Sequence, residues 1–91
     1  MRLKKNILGE FLKEKRMKAS LSQGDVANKL GYSTPQFISN WERGVSMPPI
    51  NTLKKLGQLY KISADDLFEV TLAARVDEVK AELRRKFDEA R

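Results

Sequence analysis

The chain has 91 residues, which is enough for one small domain. It contains no cysteine and no histidine, which excludes disulfides, cysteine-based zinc sites and the usual nucleophile–histidine pairs of hydrolases. Eighteen Lys and Arg against twelve Asp and Glu give a net charge of +6. This charge favours nucleic acid or an anionic surface as a partner. No enzymatic activity, metal site or cofactor is predicted.

The basic excess lies at the start of the chain. Residues 1–18 carry seven basic and two acidic side chains, whereas residues 19–70 carry five of each sign. Lys4 and Lys5 form either a basic arm or a frayed, solvated tail. No apolar run of the kind found in signal peptides follows this basic start. The apolar runs elsewhere in the sequence are also too short to cross a bilayer. A soluble, cytoplasmic protein is therefore predicted, without a signal peptide.

Helical periodicity dominates the chain, and no stretch predicts a pair of strands. Asn6 is expected to cap a first helix that runs to about Ala19. Ser22 is expected to cap a second, short helix in a capping-box arrangement with Asp25, and Gly31 to end it. The start of the chain therefore predicts two consecutive helices joined by a short connection.

Three more helices are predicted to complete a five-helix domain. Ser33 or Thr34 can cap the third helix, which should stop at Gly44. Pro49 suits the start of a fourth helix, and Ser63 can cap a short fifth one. The apolar residues predicted to face the core from the third and fifth helices are Phe37, Ile38, Trp41, Leu67, Phe68 and Val70.

Residues 71–91 predict a separate amphipathic helix that follows this domain. Apolar residues recur there every three or four positions and line one stripe, while charged residues fill the other faces. Such a stripe either packs back on its own domain or pairs with the same helix of a second copy. The homodimer is the favoured alternative. The predicted dimerisation residues are Leu72, Val76, Val79, Leu83 and Phe87.

The most informative motif spans the second and third predicted helices. It reads LSQGDVANKLG at residues 21–31 and ISNWERG at residues 38–44. The Ser-Gln opening, the Ala-x-x-Leu-Gly turn and the Trp-Glu-Arg-Gly close resemble the Cro/lambda-repressor-like helix-turn-helix family. The resemblance covers about residues 7–69. Gly31 and Ile38 are seven positions apart, one more than is common in the family, so the extra residue lies either in the turn or in the third helix.

The resemblance implies an all-α DNA-binding domain over residues 1–70, with its third helix, about residues 34–43, in the major groove. Gln36 and Asn40 are four positions apart, so they share a face, and their amides suit the edge of adenine. Ordinary solvent-facing residues are the alternative. Thr34 is the third predicted base contact. The predicted contacts to the DNA backbone are Ser22, Gln23, Ser33, Ser39, Arg43 and Asn51, and for Asn51 and Thr52 plain helix capping is the alternative.

The resemblance also implies a structural ion pair between Arg16 and Glu42, which joins the first helix to the third. The implied function is sequence-specific regulation of transcription, by a repressor that binds a palindromic operator as a homodimer. Residues 71–91 then act as the dimerisation element. The alternative function is an antitoxin, which binds a toxin protein and regulates its own operon.

Overall fold

Five helices make up the described part of the chain, which is residues 6–90 of a computed structural model. They are α1 (Ile7–Lys18), α2 (Gln23–Leu30), α3 (Gln36–Glu42), α4 (Ile50–Leu59) and α5 (Ala64–Glu89). No strand occurs between residues 6 and 90, so the prediction of an all-α fold is confirmed. None of these five helices is both long and apolar enough to span a bilayer. The predicted arm residues Lys4 and Lys5 lie outside the described residues.

Local sequence signals set the ends of α2 and the start of α5. The Ser22 hydroxyl accepts a hydrogen bond from the Asp25 N–H, and the Asp25 carboxylate accepts one from the Ser22 N–H, each at 2.9 Å. These bonds lower the pKa of Asp25, chiefly through the backbone donor of Ser22. Gly31 ends α2 with a φ of 85°, and the Ser63 hydroxyl caps α5 at 3.1 Å. The capping predictions at these three positions are confirmed.

Asn6 and Gly9 show how closely α1 approaches the end of α3. Asn6 occupies the N-cap position of α1, but its side chain does not cap the helix as predicted. Its amide instead donates to the carbonyl oxygen of Glu42 at 2.7 Å. A Cβ atom at Gly9 would lie 2.6 Å from the carbonyl oxygens of both Trp41 and Glu42. The crossing of α1 and α3 therefore requires glycine at this position.

The core lies between α1, α2, α3, α4 and the first three turns of α5. Trp41 and Ile38 are buried there as predicted. Two predicted core residues are not: Phe37 is 53% exposed and Phe68 is 62% exposed. In each case the neighbouring residue, Ile38 or Leu67, takes the inward position. A step of about 100° along a helix then turns the phenylalanine towards solvent.

The fifth predicted helix and the separate C-terminal helix are one continuous element. Residues 64–90 contain no glycine or proline, so nothing interrupts α5 over its 26 residues. The predicted boundary between residues 70 and 71 therefore lies inside a helix, and the prediction of two helices is corrected to one. Leu67 and Ala74 are buried against the rest of the fold, whereas residues 78–90 are all exposed.

Candidate nucleic-acid interface

The connection between α2 and α3 is longer than the sequence predicts. Residues 31–35 lie outside both helices, and α3 begins at Gln36, two positions later than predicted. Pro35 explains the delay, because a residue that precedes proline is biased away from helical geometry. Thr34 thus lies in the turn, where its hydroxyl accepts a hydrogen bond from the Gln36 N–H at 3.3 Å.

Gln36, Asn40 and Arg43 form one hydrogen-bonded row on the outer surface of α3, named here the polar edge. Gln36 Nε2 donates to Asn40 Oδ1 at 3.0 Å, and Arg43 Nη2 donates to the same oxygen at 2.7 Å. Arg43 Nε also donates to the Ser39 hydroxyl at 3.2 Å. Gln36 and Arg43 are exposed and Asn40 is half-buried. The polar edge therefore presents the Nδ2 donor of Asn40 and the Oε1 acceptor of Gln36 to a binding partner.

A buried ion pair lies behind the polar edge, at the junction of α1 and α3. Arg16 Nε lies 2.6 Å from Glu42 Oε2, and Arg16 Nη2 lies 3.1 Å from Glu42 Oε1. Arg16 is 9% exposed and Glu42 is 6% exposed. The hydrogen bond with Glu42 raises the pKa of Arg16. Arg16 Nη1 also donates to the Leu21 carbonyl at 2.8 Å, so this pair ties α3 to the segment that leads into α2.

Gln23 also bonds to this ion pair, and the three side chains of Arg16, Glu42 and Gln23 are named here the buried cluster. The sequence does not predict this third member. Its side-chain amide donates to Glu42 Oε1 at 2.9 Å, so α2 is joined to α3 as well. The motif gave Gln23 only a role at the DNA backbone, and that role stays a prediction. Spacing along the chain offers no signal for the bond, because 19 positions separate the two residues.

The other predicted backbone contacts surround α3. Ser22 is exposed at the start of α2, Ser33 is exposed in the turn, and Asn51 is exposed in the first turn of α4. Ser39 is half-buried, with its hydroxyl bonded to Arg43. The hydroxyl of Ser22 is engaged in capping α2. The structure thus brings Ser39 into direct contact with the polar edge.

An aromatic cluster borders the polar edge on one side. The Phe37 ring centroid lies 4.9 Å from that of Tyr32 and 6.4 Å from that of Trp41. Phe37 and Asn40 are three positions apart on α3, so they are neighbours on the helix surface. The exposed Phe37 ring therefore adds apolar surface beside two amide side chains.

The predicted dimerisation residues lie on an outward face of α5. Their side chains are between 43% and 76% exposed, and Phe87 is the most exposed of them. α5 contacts its own domain through Leu67 and Ala74 instead. The apolar stripe therefore does not pack against the fold that carries it.

Comparison with known proteins agrees with this arrangement of helices. The chain matches the family described as helix-turn-helix over residues 12–67, a range that contains both the polar edge and the buried ion pair. It is 43% identical over 60 residues to the HTH-type transcriptional regulator ImmR of Bacillus subtilis (strain 168). That alignment covers 66% of this chain and 46% of the relative, so the chain spans about half the length of the curated relative it matches. No solved structure matches the chain.

Proposed function

Because the chain belongs to the Cro/lambda-repressor-like helix-turn-helix family, we propose that it binds specific sequences of double-stranded DNA and regulates transcription. The single observation that carries this proposal is the polar edge of α3, an exposed row of two amides and one guanidinium. The major groove of B-DNA admits one α-helix, and its base edges carry the donors and acceptors that amides recognise.

Each residue of the polar edge has a separate role in this proposal. Gln36 and Asn40 contact base edges, because both lie on the face of α3 that is directed away from the core. Arg43 donates a hydrogen bond to the side-chain oxygen Oδ1 of Asn40, so the Nδ2 donor of Asn40 is directed outward. The remaining N–H groups of Arg43 are suited to a phosphate at the edge of the groove.

The buried cluster supports this role by fixing α3 before DNA is bound. Arg16 and Gln23 hold Glu42 from α1 and α2, and Gly9 lets α1 lie directly against the end of α3. A surface that is ordered in the free protein loses less conformational entropy on binding. The polar edge is therefore presented in a fixed orientation relative to the rest of the domain.

The functional unit in this proposal is a homodimer that acts as a repressor on a palindromic operator. The exposed apolar stripe of α5 supplies the surface through which two copies pair. Twofold symmetry places two α3 helices in successive major grooves, about 34 Å apart along the duplex. Occupancy of a promoter by such a dimer blocks transcription.

Selection of duplexes from a random pool, at a stated salt concentration, tests the proposal. The expected product is a palindrome whose half-sites have centres about 10 base pairs apart. Affinity should fall steeply as salt rises, because phosphate contacts release counterions. Recovery of unrelated sequences with no shared half-site would contradict sequence-specific binding.

The sign of regulation needs a separate measurement in cells. The selected operator is placed across the promoter of a reporter gene, with and without expression of the protein. The proposal predicts lower reporter output when the protein is present. A Gln36→Ala variant with wild-type stability serves as the control and should weaken the effect. Higher output with the wild-type protein would mean activation instead of repression.

A further inference from the structure

Six exposed apolar side chains on α5 are spaced symmetrically along the helix. They are Phe68, Leu72, Val76, Val79, Leu83 and Phe87. The intervals between them are four, four, three, four and four residues, which read the same in both directions. The centre of this pattern lies between Asp77 and Glu78. A helix with such a pattern is complementary to a second copy of itself in the opposite direction.

The opposite face of α5 is covered by its own domain over the first three turns of the helix. Leu67 and Ala74 are buried there, whereas Ala81 is exposed and lines a groove that the start of α1 and Pro48 also border. On a heptad repeat in which Val76 and Val79 occupy the seam positions a and d, Leu67, Ala74 and Ala81 all fall at position f, which points away from the seam. The six-residue stripe is therefore open to a partner while α5 stays packed on its domain.

We infer that two copies pair through this stripe as antiparallel α5 helices, with a twofold axis between Asp77 and Glu78. This inference deepens the homodimer in the proposed function and rests on it. Leu72 then faces the partner's Leu83, and Val76 faces the partner's Val79. The twofold axis repeats both contacts, so four apolar layers form the centre of the seam. Phe68 and the partner's Phe87 lie at the same level, on the two edges of the seam.

Charge distribution selects the antiparallel orientation over the parallel one. Arg75 lies beside the seam at heptad position g. In the antiparallel pair, position g of one helix lies beside position g of the other. The residue at position g nearest to Arg75 is then the partner's Glu82, which has the opposite charge. In a parallel pair, Arg75 would instead face the partner's Lys80, of the same sign. Each arrangement occurs twice, so the antiparallel pair has two attractive contacts where the parallel pair has two repulsive ones.

Cysteine cross-linking of the full chain tests the register directly, because the natural sequence contains no cysteine. Leu72→Cys and Leu83→Cys are made in two chains with tags of different size. In the inferred dimer, residue 72 faces residue 83, so oxidation links the two variants only when they are mixed. Two copies of residue 72 lie about 16 Å apart along the axis, too far for a disulfide.

The alternative outcomes of cross-linking are distinct. Self-linking of Leu72→Cys alone would show a parallel pair and overturn the inference. Absence of any link in variants that sedimentation shows to be dimers would mean that the interface lies elsewhere. A wild-type chain that sediments as a monomer would also overturn it. These measurements use no DNA, so a failed dimer remains distinguishable from failed sequence recognition in the duplex selection.

Charge exchange across the seam gives a second test that does not depend on cysteine geometry. Arg75→Glu and Glu82→Arg should each raise the dimer dissociation constant about threefold to tenfold, and the double variant should restore it. Glu82 also lies 3.5 Å from Lys86 of its own helix, so the double variant is the decisive comparison. Arg84→Glu is the matched control, because Arg84 lies at heptad position b, which points away from the seam. It should change the dimer dissociation constant less than twofold. A tighter dimer in Arg75→Glu would indicate the parallel pair.

Discussion

The inner and outer faces of α3 use polar side chains in opposite ways. On the inner face, Glu42 is buried and receives donors from both Arg16 and Gln23. On the outer face, Gln36 and Asn40 bond to each other and still present a donor and an acceptor to their surroundings. The role of a polar residue on this helix therefore follows from how completely its hydrogen-bonding groups are used within the fold. The inner face should carry stability and the outer face should carry recognition.

The largest effect should come from breaking the buried ion pair. Glu42→Gln leaves the Arg16 guanidinium buried without its counter-charge, so we expect the free energy of unfolding to fall by about 3–5 kcal/mol. Urea denaturation monitored by circular dichroism measures this change. Arg43→Gln, one position further on and exposed, is the control and should stay within about 0.5 kcal/mol of wild type. Equal unfolding midpoints for Glu42→Gln and wild type would refute the division of α3 into two functional faces.

The next effect tests the close contact that supports the inner face. In Gly9→Ala, a new methyl group would meet the backbone carbonyls of Trp41 and Glu42, so we expect a loss of about 1–3 kcal/mol of stability. Gly24→Ala is the matched control, since the nearest atom to its Cβ is the Ser22 hydroxyl at 3.7 Å. That control should be neutral or slightly stabilising, because alanine favours helix over glycine. A Gly9→Ala variant as stable as the Gly24→Ala control would show that α1 and α3 can separate at this contact without cost.

Substitution on the outer face should change recognition and leave stability unchanged. Gln36→Ala is expected to cost about 1–3 kcal/mol of binding to the selected operator, and to relax discrimination at one base pair in each half-site. Titrations against operators changed at single positions measure both effects. A uniform loss across all sequences would show that Gln36 contacts only the DNA backbone.

The smallest effect should come from the capping box of α2. This helix carries Gln23, which bonds to Glu42 of α3. The pKa of Asp25 is lower in the folded chain, so its ionised form contributes stability above the unfolded pKa of about 3.9. That contribution is lost as pH falls through the lower, folded pKa. Asp25→Asn should therefore lower the melting temperature slightly at pH 7, and the difference from wild type should vanish in strong acid. A difference that persists unchanged at acidic pH would contradict this origin.

Sequence reasoning identified the features that depend on short-range patterns. Ser22, Gly31 and Ser63 act locally, so their positions at helix ends follow from residue type and spacing. The pairing of Arg16 with Glu42 is implied by the family resemblance, and the structure brings the two side chains together. Gln23 was assigned only to the DNA backbone, because its bond to Glu42 depends on how α2 and α3 cross and not on either helix alone.

Periodicity was less informative where one helix carries two apolar faces. On α5, Leu67 and Ala74 belong to the face that the domain covers, whereas Phe68 and Leu72 belong to the exposed one. The two sets are adjacent in sequence, so apolar spacing alone assigned Phe68 to the core. The same limitation applies to Phe37, which lies between the inner and outer faces of α3 and packs on Tyr32 at the surface. Which face is covered depends on the tertiary packing of the helix.

The continuity of α5 has a mechanical consequence for operator choice. The segment that pairs in the inferred dimer and the segment buried in the core belong to one uninterrupted helix, so no hinge separates them. In that dimer, each α3 is held rigidly at a fixed distance from the twofold axis and in a fixed orientation relative to it. One base pair added between half-sites rotates them relative to each other by roughly 35° and displaces them by about 3.4 Å. Such a protein would discriminate operators by their spacer length as well as by their bases.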